Sequence, residues 1–345
     1  MQHLRVGFAI WCLLNPCLLF ANPREMEVVQ PVENPSGIVL VSDGFGSQVI
    51  TPGGQAQAVR LGDGEVLTDF VEVATGWVGA GFVNDGERSR LVFYSDGAGG
   101  VEGLPAPNPQ SESKLGSFHP TLLVRNQGFE GVAWLEGDDL TSLAVRAALW
   151  SGLEWGDPEK VAAPGPGSQT GLTGAILQDG SWLLAWSRYD GIDDEIYWSL
   201  RQGEAWTEPE RVDSGNEVPD VAPHMVATKN GALLAWNRYD GNEYRVVVAK
   251  FLGDSWQTPH YAAPPGSLAP RFNRRKDTIF LTYREAWPRA WSILEMTEQG
   301  RTLRRARVNQ ATKVRPIVSG QSRVGIRLEW LDSGPPRSVV WENVP

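Results

Sequence analysis

The chain is nearly devoid of cysteine. Its two, Cys12 and Cys17, both fall within the first 21 residues. That stretch reads as a secretory signal peptide: Arg5, an apolar run from Val6 to Ala21 broken only at Asn15-Pro16, then the polar Asn22-Pro23-Arg24-Glu25. The run is short for a membrane-spanning helix and contains a proline. With residues 1–21 removed, the mature chain would hold no thiol, which excludes disulfides and Cys-ligated metal. Histidine is also scarce, at four residues, and His119 and His224 stand in different parts of the sequence. No metal site and no cofactor is expected. Basic residues are outnumbered: 31 Lys and Arg face 41 Asp and Glu, a net charge of −10 that becomes −11 when Arg5 is removed. An acidic chain without a basic run is a poor partner for nucleic acid. Long apolar runs of helical period are missing as well, so helices are not expected to build the fold.

What is present is tryptophan, at 15 residues, and glycine, at 38. Short apolar runs ending in an aromatic recur, each followed by a polar turn. They are Ala80-Gly81-Phe82, Val132-Ala133-Trp134, Leu184-Ala185-Trp186, Leu234-Ala235-Trp236, Leu281-Thr282-Tyr283 and Leu328-Glu329-Trp330. The aromatics are 52, 52, 50, 47 and 47 residues apart. Each unit holds four short strands: one opened by a proline such as Pro120, Pro223, Pro270 or Pro316, the aromatic strand, a third, and a brief fourth. A repeat of four strands at this period predicts an all-β β-propeller of about six four-stranded antiparallel blades, with the aromatics filling the space between blades. Residues 22–36 read as a flexible lead, and residues 37–345 as one propeller domain. Gly37–Leu61 resembles third and fourth strands and is expected to complete the blade of Val314–Trp341, closing the ring and hiding its edges.

A second pattern follows the third strand of three units. Ser199, Gly203 and Trp206 keep the spacing of Ala249, Gly253 and Trp256, and of Ala148, Gly152 and Trp155. This resembles the Asp-box (BNR) repeat of the sialidase superfamily, Ser-x-Asp-x-Gly-x-x-Trp, although Arg201, Phe251 and Trp150 occupy the Asp position. The resemblance implies a sialidase-like propeller in which these boxes are structural hairpins, with turn glycines and core tryptophans. It does not by itself imply catalysis. Family sialidases grip the sugar carboxylate with three arginines and use a Tyr/Glu pair and an Asp in catalysis. Here Arg188 and Arg238 are repeat-equivalent copies, Arg315-Pro316-Ile317 is only a fragment of the family's arginine motif, and no catalytic set is assigned.

Blade topology gathers the starts of first strands and the second-to-third turns on one face. His119, His224, Arg271 and Arg315 would lie near its axis, with Arg188, Tyr189, Arg238, Tyr239, Arg284, Glu285 and Trp287 further out. The candidate ligand-binding residues are therefore Arg188, Tyr189, Arg238, Tyr239, His224, Arg271, Arg284 and Glu285. Arginine grips carboxylates with a planar fork, and aromatics supply sugar and protein contact area. The near-identical Ala-Trp-Ser-Arg-Tyr-Asp-Gly (185–191) and Ala-Trp-Asn-Arg-Tyr-Asp-Gly (235–241) single out the two Arg-Tyr pairs, since a turn needs only Asp-Gly. The expected function is a secreted or periplasmic, monomeric, non-catalytic binding propeller recognising a glycan, peptide or protein. A sialidase-like glycoside hydrolase and an envelope scaffold without a small ligand are the alternatives.

Overall fold

A computed structural model describes residues 39–42, 47–50, 56–84, 86, 88–97, 100–107, 115–275, 278–286, 290–308, 317–322, 325–329 and 341–343. The signal peptide, the flexible lead, Trp287, Arg315 and Trp330 fall outside the described residues. Within them every regular element is a β-strand, and no helix is long and apolar enough to cross a membrane.

Three N-terminal strands, β1 (Val39–Ser42), β2 (Ser47–Ile50) and β3 (Ala56–Val59), pair with one another. Five antiparallel meanders follow. The first is β4 (Glu65–Val73), β5 (Gly76–Asn84), β6 (Ser89–Gly97) and β7 (Gly100–Leu104). The second is β8 (Gly116–Arg125), β9 (Gly128–Gly137), β10 (Leu143–Leu149) and β11 (Glu159–Ala162). In the third, β12 (Gln169–Ile176), β13 (Trp182–Tyr189) and β14 (Asp194–Gln202) precede a fourth strand split into β15 (Ala205–Trp206) and β16 (Glu210–Arg211). The fourth repeats that design with β17 (Asp220–Thr228), β18 (Gly231–Tyr239), β19 (Tyr244–Leu252), β20 (Ser255–Trp256) and β21 (His260–Tyr261). The fifth is β22 (Ser267–Arg275), β23 (Thr278–Glu285), β24 (Ala290–Met296) and β25 (Thr302–Val308). A hairpin of β26 (Ile317–Ser322) and β27 (Gly325–Glu329) comes next. The last strand, β28 (Trp341–Asn343), adds to the outer edge of β25.

The expected closure differs from this pairing. Among the described residues, β1–β3 pair only with each other and not with β26 or β27. Their apolar side, Val49 and Val59, packs on Leu67, Phe70 and Trp77 of the first meander.

Each meander is apolar on both faces, so neither face can be covered from within it. Buried clusters accordingly lie between consecutive meanders. Trp134 packs toward the first, Trp186 toward the second, Trp236 toward the third, and Tyr283 toward the fourth. All four are almost completely buried. Phe82 departs from the expected series. In the later units the aromatic directly follows the residue paired with the first position past the bulge, as Trp134 follows Ala133, whereas here Gly81 follows Ala80 and Phe82 comes one residue later. Phe82 is thereby shifted to the opposite face, is only half-buried, and packs toward Phe118 and Leu135. Its vacated side is filled by Phe70, whose ring lies so close over Gly79 that a Cβ there would meet it at 2.6 Å.

The Asp-box-like segments form tight hairpins, with Gly152, Gly203 and Gly253 at φ 97°, 64° and 70°. Their tryptophans Trp155, Trp206 and Trp256 are half-buried edge packers rather than full core. Arg201, at the position of the box's Asp, donates Nε and Nη2 to Glu159 of the preceding meander, each at 2.7 Å, and Trp206 Nε1 donates to the same carboxylate at 2.7 Å.

Trp186→Ala is expected to lower stability by about 3–5 kcal/mol through the cavity it opens, measured by chemical denaturation. A loss below about 1 kcal/mol would contradict its place as inter-meander filler.

Candidate functional site

The first strands of successive meanders contact one another, and each carries a bulge. The extra residue is left-handed: His119 (φ 52°), Gly171 (φ 61°), Ala222 (φ 56°) and Ala269 (φ 53°). Proline follows at 120, 223 and 270, where the bulge leaves no ladder N–H to supply. The first residue past each bulge is equivalent across the repeat: Asp69, Thr121, Thr173, His224 and Arg271. Three of these side chains accept from the backbone of the next meander. Asp69 takes the Leu122 N–H (2.7 Å), Thr173 that of Met225 (3.0 Å), and His224 Nδ1 that of Phe272 (3.1 Å). Thr121 instead donates to the Leu172 carbonyl at 3.0 Å. His224 and Arg271 are thus successive members of the series that begins with Asp69. Burial pushes the Asp69 carboxyl up to about 7, against the opposing pull of two backbone N–H donors and the Arg271 charge.

The second-to-third turns explain the repeated Arg-Tyr-Asp-Gly. Asp190 Oδ1 accepts from Ile192 N (2.8 Å) and Asp193 N (3.3 Å), and Asp240 Oδ1 from Asn242 N (3.1 Å) and Glu243 N (3.0 Å). Gly191 and Gly241 take φ of 112° and 97°. The tyrosines belong to the turn as well. Tyr189 and Tyr239 donate their hydroxyls to the carbonyls of Gly191 (2.9 Å) and Gly241 (3.1 Å). The expectation that the Tyr exceeds what the turn needs is therefore corrected. Tyr189 is still exposed, and beside it Ile192 is 80% and Leu140 of the neighbouring turn 59% exposed.

Two residues past the buried aromatic lie four equivalent positions: Glu136, Arg188, Arg238 and Glu285. Glu136 accepts from Ser117 Oγ (3.3 Å), Trp134 Nε1 (3.2 Å) and Arg146 Nε (3.3 Å). Glu285 accepts from Ser292 Oγ, and from Nη2 of both Arg305 (2.5 Å) and Arg307 (2.7 Å). Arg238 forks onto Asp220 through Nε (2.9 Å) and Nη2 (2.7 Å), and Nη2 also reaches Asp213 (2.8 Å). Its fork is occupied within the protein, so Arg238 and Arg188 are not two matching grips set side by side. Arg188 lies over the Tyr197 ring at 4.9 Å and makes no ion pair with any described residue. Arg284 sits one residue earlier than Glu285, on the opposite face of β23, and is half-buried. His119 is half-buried against Phe82 and Phe118, and burial holds its imidazole pKa down.

An acidic network missed in the sequence joins the third and fourth meanders. Arg211 pairs with Asp190 and, at 3.5 Å, with Glu195, while Asn216 bridges Glu195 (3.5 Å) and Asp220 (3.2 Å). Burial, with Asp220 nearby, pushes the Glu195 carboxyl up to about 8, and burial with Asp193 and Asp190 pushes Asp194 up to about 6. Only the run Asp193-Asp194-Glu195 signalled this in the sequence, and it reads equally as a solvated loop.

No family model and no curated protein matches the sequence. Among solved structures, the polysaccharide lyase Uly1 superposes with a TM-score of 0.55 at 10% identity, covering 89% of this chain and 87% of that one. A protein of unknown function from Dyadobacter fermentans DSM 18053 gives 0.52 at 13% identity, covering 76% and 84%. A prolyl endopeptidase gives 0.51 at 11%, covering 82% of this chain and 41% of that one. Similarity at these identities speaks to the fold alone.

A carboxyl raised in the fold binds protons that the unfolded chain has lost, so it weakens the fold as pH climbs from its ordinary value toward its raised one. Glu195→Gln is therefore expected to flatten the decline in melting temperature between about pH 4.5 and 8. A variant whose melting temperature tracks the wild type across that range would contradict the protonated, buried Glu195.

Proposed function

We propose that the chain is a secreted or periplasmic β-propeller, with residues 1–21 as its signal peptide and 37–345 as a single six-bladed, sialidase-like domain. In this reading it is a monomer, and its N-terminal segment closes the ring by packing beside the first full blade. Its function is to bind a glycan, peptide or protein partner, without catalysis, on the face that carries the second-to-third turns and the ring of first-strand residues. The binding residues are Arg188 and Tyr189, with Tyr239, Arg284, Arg271 and His224 around them. Arg238 and Glu285 shape the face from within their ion pairs.

The observation that supports binding over hydrolysis is the state of the carboxylates. Glycoside hydrolysis needs two carboxyl groups, or a Tyr/Glu pair and an Asp, free to face one substrate. Glu136, Asp220 and Glu285 are each tied to arginine, and Tyr283, the would-be partner of Glu285, is fully buried. What the face leaves open is Tyr189 with Ile192 and Leu140, an apolar and aromatic edge of the sort that partners use.

The test is capture on an array of neutral glycans, acidic glycans and peptides, with the double variant Leu140→Asp/Ile192→Asp alongside. Both side chains are exposed turn tips, so the melting temperature should stay nearly unchanged while capture falls. A wild type that captures nothing favours the scaffold reading. Release of sugar from a chromogenic sialoside would overturn the non-catalytic one.

A further inference from the structure

The four equivalent blade positions differ in one respect that the fold does not require. In the second, fourth and fifth meanders an internal carboxylate near the buried aromatic is held by arginine, and in the second Trp134 Nε1 donates to it directly. Those carboxylates are Glu136 with Arg146, Asp220 with Arg238, and Glu285 with Arg305 and Arg307. In the third meander the position of Asp220 is taken by Gln169, directly across the ladder from Arg188 as Asp220 is from Arg238. Arg188 Nε, Trp186 Nε1 and Gln169 Oε1 there are buried without a hydrogen-bond partner, as are Trp236 Nε1 and Tyr283 OH in the next two meanders, where the carboxylate is nonetheless present. Gln169 is itself fully buried, and its amide nitrogen is spent on the carbonyls of Ala163 (3.1 Å) and Leu143, which fixes the oxygen as the orphan. Glu195, across from Arg188 on the other side, turns to Arg211 and Asn216 instead. Arg188 as a whole is half-buried.

Two donors, one of them cationic, and one acceptor define a complement. A carboxylate accepts from Arg188 and Trp186, and an adjacent hydroxyl donates to Gln169. We propose that the third blade binds a hydroxy-carboxylate, of the kind a uronic acid presents, between Arg188, Trp186 and Gln169, the ligand supplying the carboxylate that the other blades carry themselves. The Gly165 backbone walls the site so closely that a Cβ there would meet Arg188 Nε at 2.5 Å, which favours a small flat group. This inference rests on the binding reading of the face and names its ligand class.

The experiment is thermal melting of the full chain titrated with glucuronate, with glucose and acetate as arms lacking the carboxylate or the hydroxyls, and an oligouronate to separate a free acid from a polymer. Glucuronate should raise the melting temperature, glucose should not, and acetate should act only at higher concentration. Arg188→Gln should shift half-saturation about ten- to a hundredfold, as loss of a charge-assisted hydrogen bond does. Trp186→Phe leaves the charge in place and should shift it about two- to tenfold. A stronger response to the oligouronate assigns the site to a polymer, and an equal one to the free acid. If glucuronate acts no more than glucose, a water molecule suffices for the three groups and the proposal falls. It falls equally if either variant half-saturates at the wild-type concentration. Capture of neutral ligands on the array alongside such a null would retain the binding function while removing this site.

Discussion

The structure depends on the inability of a single four-stranded meander to cover its own two apolar faces. Every blade must be finished by its neighbour, and the large side chain that finishes it comes from the second strand: Trp134, Trp186, Trp236 and Tyr283. Such residues bury much apolar area, but they drag an N–H or O–H into the interior with them. An unpaired polar group there is expensive. Glu136 meets that demand for Trp134, while Asp220 and Glu285 are held by arginines near the corresponding places. They stand where a ligand-binding face was expected, and most are consumed by the fold's own accounting of donors and acceptors.

The inner strands meet the same constraint. A bulge breaks the ladder in each first strand, and the first side chain beyond it reaches across to the next blade. The chemistry varies, with Asp69, Thr173 and His224 all accepting a backbone N–H, because geometry asks only for an acceptor at that place. The ring therefore mixes residue types that look functional with a role that is structural. Thr121, which donates to the Leu172 carbonyl, and Arg271, which has no acceptor to offer, depart from the series.

The period of the aromatics and the polar turns between them made the blades legible, since burial on two faces and tight reversal both leave marks in composition. The register of the first unit was not legible. Phe82 fits the spacing, yet it sits one residue past the ladder position of the later aromatics and so faces the other way, and the bulges that set this register have no strong signature beyond the prolines at 120, 223 and 270. Arg188 and Arg238 were indistinguishable because their local sequences nearly match. What separates them is Gln169 against Asp220, about 20 residues upstream of each, a difference visible only once the ladder pairs them. The Tyr of each turn looked surplus because a hydroxyl-to-carbonyl clip is a three-dimensional fact.

Three hydrogen bonds between inner strands share a direction, with the acceptor side chain on the earlier blade and the N–H on the later one, while Thr121 alone among these positions donates forward. Arg201 and Trp206 likewise reach back to Glu159. Each unit is thus both socket and plug, carrying what its successor needs and grasping what its predecessor offers. During synthesis a finished blade is already a template for the one emerging, so assembly can follow the ribosome without waiting for the ring. The same polarity makes a unit of this length a transferable module. Copied in tandem, it brings both halves of its own junction, and a duplication can lengthen the array without any new interface being invented.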